Sequence, residues 1–157
     1  MDKTYNYLNN EIFHDELDLV LAKPFSTEKI TGRYKLSGDN ESSFIFNINH
    51  EAQNTQSEID IKAVLHDNAK LKILGTIILD KKSIGAKTNF NVKVLILGSK
   101  AKATVLPKLM IECKDIESAK HAVVIKKISS DDLYFMASRG IGINIAKKLV
   151  EDGFLNN

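Results

Sequence analysis

The chain has 157 residues, 43% of them apolar and 7% aromatic, with no tryptophan. That suffices for the core of one domain, and no apolar run approaches the roughly 20 residues a membrane-spanning helix needs. A net charge of +2 hides an uneven spread: residues 1–60 carry 5 basic and 11 acidic side chains, residues 61–127 carry 14 lysines and 5 acids, and residues 128–157 carry 3 and 4.

The opening MDKTYNYLNNEIFHDEL is polar and acidic, unlike a signal or transit peptide, so a cytoplasmic location is expected. Ile12, Leu17, Val20 and Leu21 suit one helical face, and Pro24 disfavours helix at Lys23, which predicts a short helix within residues 1–23. The stretch FSTEKITGRYKLSGDNESS predicts a hairpin around Gly32 and a turn at SGDN, completing an N-terminal segment over 1–43.

From Phe44 the period becomes two. Phe44, Phe46 and Ile48, then Ile59, Ile61, Ala63 and Leu65, then Phe90, Val92, Val94 and Ile96 alternate with mostly polar residues, as strands with a core face and a wetter face do. Ala52, Ala69, Ala86, Ala101 and Ala119 recur at spacings of 17, 17, 15 and 18 residues, most of them behind turn residues. A strand-plus-turn unit with a small residue at its corner is the mark of a β-solenoid, here over 44–129; an antiparallel meander would turn every 8–12 residues. The lysines read as solvent-facing strand positions that discourage edge pairing, since no arginine or aromatic residue interleaves with them as a nucleic-acid platform requires.

Residues 130–157 form a helical tail in which Ser130 is the expected N-cap, with Asp131 and Asp132 in the first turn. Leu133, Met136 and Ala137 share one face, and Gly140 ends the first helix. In the second, Ile141, Ile145 and Leu149 lie four apart with Ala146 and Val150 beside them, Lys147, Lys148 and Glu151 face water, and Gly153 closes it. Such a tail is one way to cover the open end of a solenoid. RGIGINIAKKLV also looks like the helix-hairpin-helix of DNA-binding proteins, but the tail's net charge of −1 argues against a nucleic-acid partner.

HEAQNTQS (50–57), VLHDNAKLKILGTIIL (64–79), VLILGSKAKATVLPKLMIECKDI (94–116), SAKHAVVIKKISSDDLYFMASRGI (118–141) and AKKLVEDGF (146–154), in this order, resemble the SufB/SufD family of iron–sulfur cluster assembly scaffolds. The resemblance implies a mainly β fold, a short right-handed parallel β-helix with a C-terminal two-helix cap. It implies a non-enzymatic scaffold that dimerises through its β-helix, as a homodimer or with a SufB-like partner. Its C-terminal helices would dock a SufC-type ABC ATPase, with Tyr134, Phe135, Arg139, Ile141 and Phe154 as docking candidates. A transient iron–sulfur cluster is implied, with no tightly bound cofactor. The resemblance makes His121 the cluster-assembly candidate and the one histidine read as a metal ligand; Cys113, on the parity of Leu109 and Ile111, reads as a buried inert thiol. Ala122 follows His121 where SufB-type members have glutamate, and Val92 stands about where they have an essential cysteine, so SufD is the closer likeness. Family members are usually longer than this chain.

No Gly-rich phosphate loop, Ser/His/Asp arrangement or HExxH occurs, so no enzyme is expected. Other readings are a helix-hairpin-helix nucleic-acid binder, a solenoid interaction module with no cluster role, and a solenoid enzyme acting on polysaccharide, whose acid clusters the lysine-rich region lacks.

Overall fold

The computed structural model describes residues 2–9 and 11–156; Met1, Asn10 and Asn157, which fall within the ranges above, lie outside the described residues. Nine strands and two helices form among them: β1 (Asp2–Tyr7), β2 (His14–Leu21), β3 (Thr27–Leu36), β4 (Glu41–His50), β5 (Gln56–Leu65), β6 (Lys70–Leu79), β7 (Lys87–Ile96), β8 (Lys102–Ile111), β9 (Ser118–Lys127), α1 (Ser130–Ala137) and α2 (Ile143–Asn156). Odd strands make one sheet in the order β1-β3-β5-β7-β9 and even strands a second, β2-β4-β6-β8, with every pairing parallel. Each coil therefore gives one strand to each sheet, and the chain is a β-solenoid of about four coils.

The coil is twice the unit suggested by the alanines. Paired residues are offset by 27 (Asp2 and Lys29) to 32 (Lys70 and Lys102), so a spacing of 15–18 residues marks half a coil, one strand and one corner. Ala52, Ala69 and Ala86 are buried at successive corners. Several corners turn through one left-handed residue: Phe25, Asn54 and Gly85 where the chain enters the odd sheet, Gly38 and Asp67 where it enters the even one.

Inward side chains stack in columns, and the core is continuous from Phe13 to Val94. Phe46 packs 5.5 Å from Phe44 and 5.4 Å from Phe90 between ring centroids. Its register partner is Gly75, whose missing side chain leaves the room the ring fills. One polar chain interrupts this core. His50 Nδ1 lies 2.8 Å from Thr55 Oγ1 and its Nε2 2.9 Å from Ser57 Oγ, which lies 2.8 Å from Thr88 Oγ1. Burial lowers the His50 pKa to about 4, so the ring is neutral and bonded on both nitrogens.

The N-terminal region departs from expectation. The helix expected within 1–23 is β1 and β2, and the hairpin about Gly32 is the continuous strand β3, so the coils begin at Asp2, not at Phe44. Leu17 and Leu21 are buried while Ile12 and Val20 lie outside, because pairing with β4 imposes a period of two on what resembles a helical face. Gly32 points inward, where a Cβ would lie 2.9 Å from the Tyr34 ring. The turn at SGDN forms as expected, with Gly38 at φ 67°.

Gly75→Ala is expected to destabilise the fold by about 1–3 kcal/mol in urea unfolding, because its Cβ would meet the enclosed Phe46 ring at 2.3 Å. Adding Phe46→Leu should recover part of that loss; independent effects would show that the ring does not set the requirement for glycine.

His50 sets a second expectation. Its folded pKa, about 4, lies below the ordinary 6.5, so its contribution is full above pH 6.5 and is lost as the pH falls from 6.5 towards 4. The loss amounts to roughly 3 kcal/mol. Proton NMR of the ring should titrate near pH 4, and a midpoint near 6.5 would show that the buried network is open to water.

Candidate functional site

The solenoid's last coil is open. β8 and β9 each pair on one side only, and Pro107, which has no amide hydrogen, is tolerated on such an edge. Inward residues that are buried elsewhere are uncovered here: Ile111 and Ile125 are exposed, and Val105, Leu109 and Val123 only half-buried. His121 belongs to this set. Its register column runs Ile30, Ile59, Phe90, His121; the first three are 1%, 0% and 2% exposed, whereas His121 is open to solvent. Ala122, the next residue, alternates to the outer face beside Asn91. Val92 is buried beside Val123, in the column adjoining that of His121.

The other histidines are engaged elsewhere. His50 closes the buried chain described above, His14 Nδ1 lies 3.0 Å from Ser43 Oγ, and His66 is paired with Glu151. Cys113 is a buried free thiol in the turn after β8. Among the described residues no group of three or more His, Cys, Asp or Glu side chains is placed to hold a metal ion.

The helices do not lie across the open end. Val150, Phe154 and Leu155 of α2, with Ile128, pack on Val64, Leu95 and Leu97. Val64 and Leu95 are outward residues of β5 and β7, so α2 lies along the flank of the odd sheet. The N-cap of α1 is Ser129, one residue before the expected Ser130; its hydroxyl accepts from the Asp132 amide at 3.0 Å. Gly140 holds φ 79° after α1, whereas Gly153 does not end α2, which continues to Asn156.

Tyr134 and Phe135 are exposed, and the Arg139 guanidinium lies 3.6 Å above the Phe135 ring. Ile141 is half-buried between the helices and Phe154 belongs to the packing cluster on the flank. The packing face of α2 is rotated from the expected one but keeps Ala146 and Val150. Ile145 and Leu149, expected to pack, are exposed with Ile143, while Ala146 and Glu151 are buried. Phe154 extends Ala146 and Val150 into a stripe at intervals of four, and Val150 and Phe154 of that stripe pack on the sheet.

Most lysines of residues 61–127 do face water on the outer strand positions. Lys62 is the exception: it is buried on the flank, and desolvation followed by the nearby Arg33 lowers its pKa. Among the described residues no helix is long and apolar enough to cross a membrane.

Comparison with known proteins adds a family. The model of the SufBD core domain of the SUF system for iron–sulfur cluster assembly matches residues 1–154. A SufBD-family iron–sulfur cluster assembly protein of Staphylococcus saprophyticus is 29% identical over 106 residues, 68% of this chain and 23% of that protein. SufB of Bacillus subtilis gives the same figures, 29% over 106 residues, 68% and 23%. SufD of Plasmodium berghei is 28% identical over 131 residues, 83% of this chain and 10% of that one. The chain thus spans less than a quarter of the length of these relatives.

Proposed function

The chain belongs to the SufBD family of iron–sulfur cluster assembly proteins, and from that premise we propose that it acts as a SufD-like, non-catalytic scaffold subunit in the cytoplasm. It pairs through the open end of its solenoid and holds a SufC-type ATPase on its two C-terminal helices. The observation that carries this reading is the apolar surface of the tail. Tyr134, Phe135, Ile143, Ile145 and Leu149 are all more than half exposed on two short helices, a density that solvent alone does not favour. Arg139 over Phe135 adds a residue type enriched in binding hot spots.

Pairing through the solenoid is supported by the last coil, where two unpaired strand edges and the uncovered Ile111 and Ile125 invite a covering subunit. A second copy or a SufB-like chain fits that end, and light scattering of the chain alone separates the two. The SufD assignment rests on Ala122 after His121 and on Val92, which leave this chain without the glutamate and cysteine of SufB-type members. His121 is then the imidazole through which a cluster, as cargo, meets the scaffold.

Two substitutions test the separate halves of this reading. Tyr134→Ala with Phe135→Ala should weaken binding of the SufC-type ATPase by about tenfold or more without lowering the melting temperature, since both rings are exposed. Unchanged affinity would remove the helices as the docking surface. His121→Ala should leave ATPase binding intact while reducing cluster formation on the assembled scaffold; full cluster yield would take His121 out of the assembly site.

A further inference from the structure

Glu151 lies among Lys147, Lys148 and Asp152 in sequence, and its surroundings there are those of a solvated face. The structure buries it to 5% exposure. Its Oε1 accepts from Lys35 Nζ at 2.6 Å and its Oε2 lies 2.9 Å from His66 Nε2. Lys35 is near the end of β3 and His66 directly follows β5, so one carboxylate fastens α2 to two successive coils.

Burying a carboxylate is costly and is offset only by close, well-placed partners; such pairs fix a geometry more than they add net stability. The remaining packing of α2 sets its rotation weakly. Val150, Phe154 and Leu155 meet the aliphatic patch of Val64, Leu95 and Leu97, which would accept neighbouring rotations of the helix. Glu151 has no such freedom, because its two oxygens must reach two separate partners. At 3.6 residues per turn, Leu149 and Ile145 lie about 160° and 120° round the helix from it, which matches their exposure.

We propose that Glu151 is a positioning residue: its clamp on Lys35 and His66 holds α2 at one rotation, so that the Ile145 and Leu149 face is presented together with α1 to the docking ATPase. This rests on the docking reading above. Glu151 itself touches no partner. It removes the conformational cost that a loosely held helix would add to binding, since affinity falls in proportion to the fraction of molecules in the competent arrangement.

The test uses the full chain with Glu151→Gln, Lys35→Met, and the reversed pair Lys35→Glu with Glu151→Lys. Two readouts are taken, amide hydrogen exchange and titration with the SufC-type ATPase. In both single variants, α2 amides should exchange about tenfold faster while β5 and β7 stay protected, and ATPase affinity should fall about 10- to 100-fold. The reversed pair, which rebuilds the contact with position 35 but not the one with His66, should restore slow exchange and affinity in part. Wild-type exchange and affinity in Glu151→Gln would overturn the proposal. So would a loosening of strands and helix alike in both single variants, which would make the clamp a general structural contact. A wild-type chain that binds no ATPase would sink the docking reading instead, while the exchange arm still decides whether Glu151 fixes α2.

Discussion

Parallel pairing between a strand and its counterpart one coil later is the constraint on which everything else here depends. Once Ile30, Ile59 and Phe90 share a register, their side chains must stack, and so must the corners that return the chain. Phe25, Asn54 and Gly85 take the same left-handed conformation because each coil must turn at the same point. Polar inward residues have to find each other along the same columns, as Ser57 and Thr88 do beside His50. The lysine-rich outer faces follow too, since alternation leaves every second residue to water.

That constraint also explains what the sequence made legible. Phe44, Phe46 and Ile48 announce a strand locally, and the corner alanines recur often enough to reveal a repeat. Whether one repeat is a whole coil or half of one is not a local property, because it depends on pairing about 30 residues away. Residues 12–21 fail for the same reason. Ile12, Leu17, Val20 and Leu21 satisfy a helical template, and only pairing with β4 selects Leu17 and Leu21 as the inward set. The hairpin expected at Gly32 treated a glycine as a turn signal, although here it makes room for the Tyr34 ring inside a strand.

The tail shows the limit of amphipathic reasoning on a short helix. α2 carries two stripes at intervals of four, Ile145 with Leu149 and Ala146 with Val150 and Phe154, and from hydrophobicity alone the two read as one apolar face. Val150 and Phe154 of the second pack on the outward face of β5 and β7, where Val64 and Leu95 offer a small aliphatic patch. A carboxylate with a cation and an imidazole waiting on the sheet completes the choice. No local pattern marks Glu151, since both partners come from coils more than 80 residues earlier in the chain.

The open end gives His121 its meaning. One coil earlier the same column holds Phe90, and an imidazole buried there would need partners of the kind that Thr55 and Ser57 supply to His50. His121 occupies a core position without a core above it, so the chain tolerates it only because the coil stops there. Whatever covers Ile111 and Ile125 would cover His121 with them. The sequence could point to this histidine through family resemblance, but its setting is a consequence of topology. A side chain in the last inward column is left open by the same stacking rule that buries every equivalent residue before it.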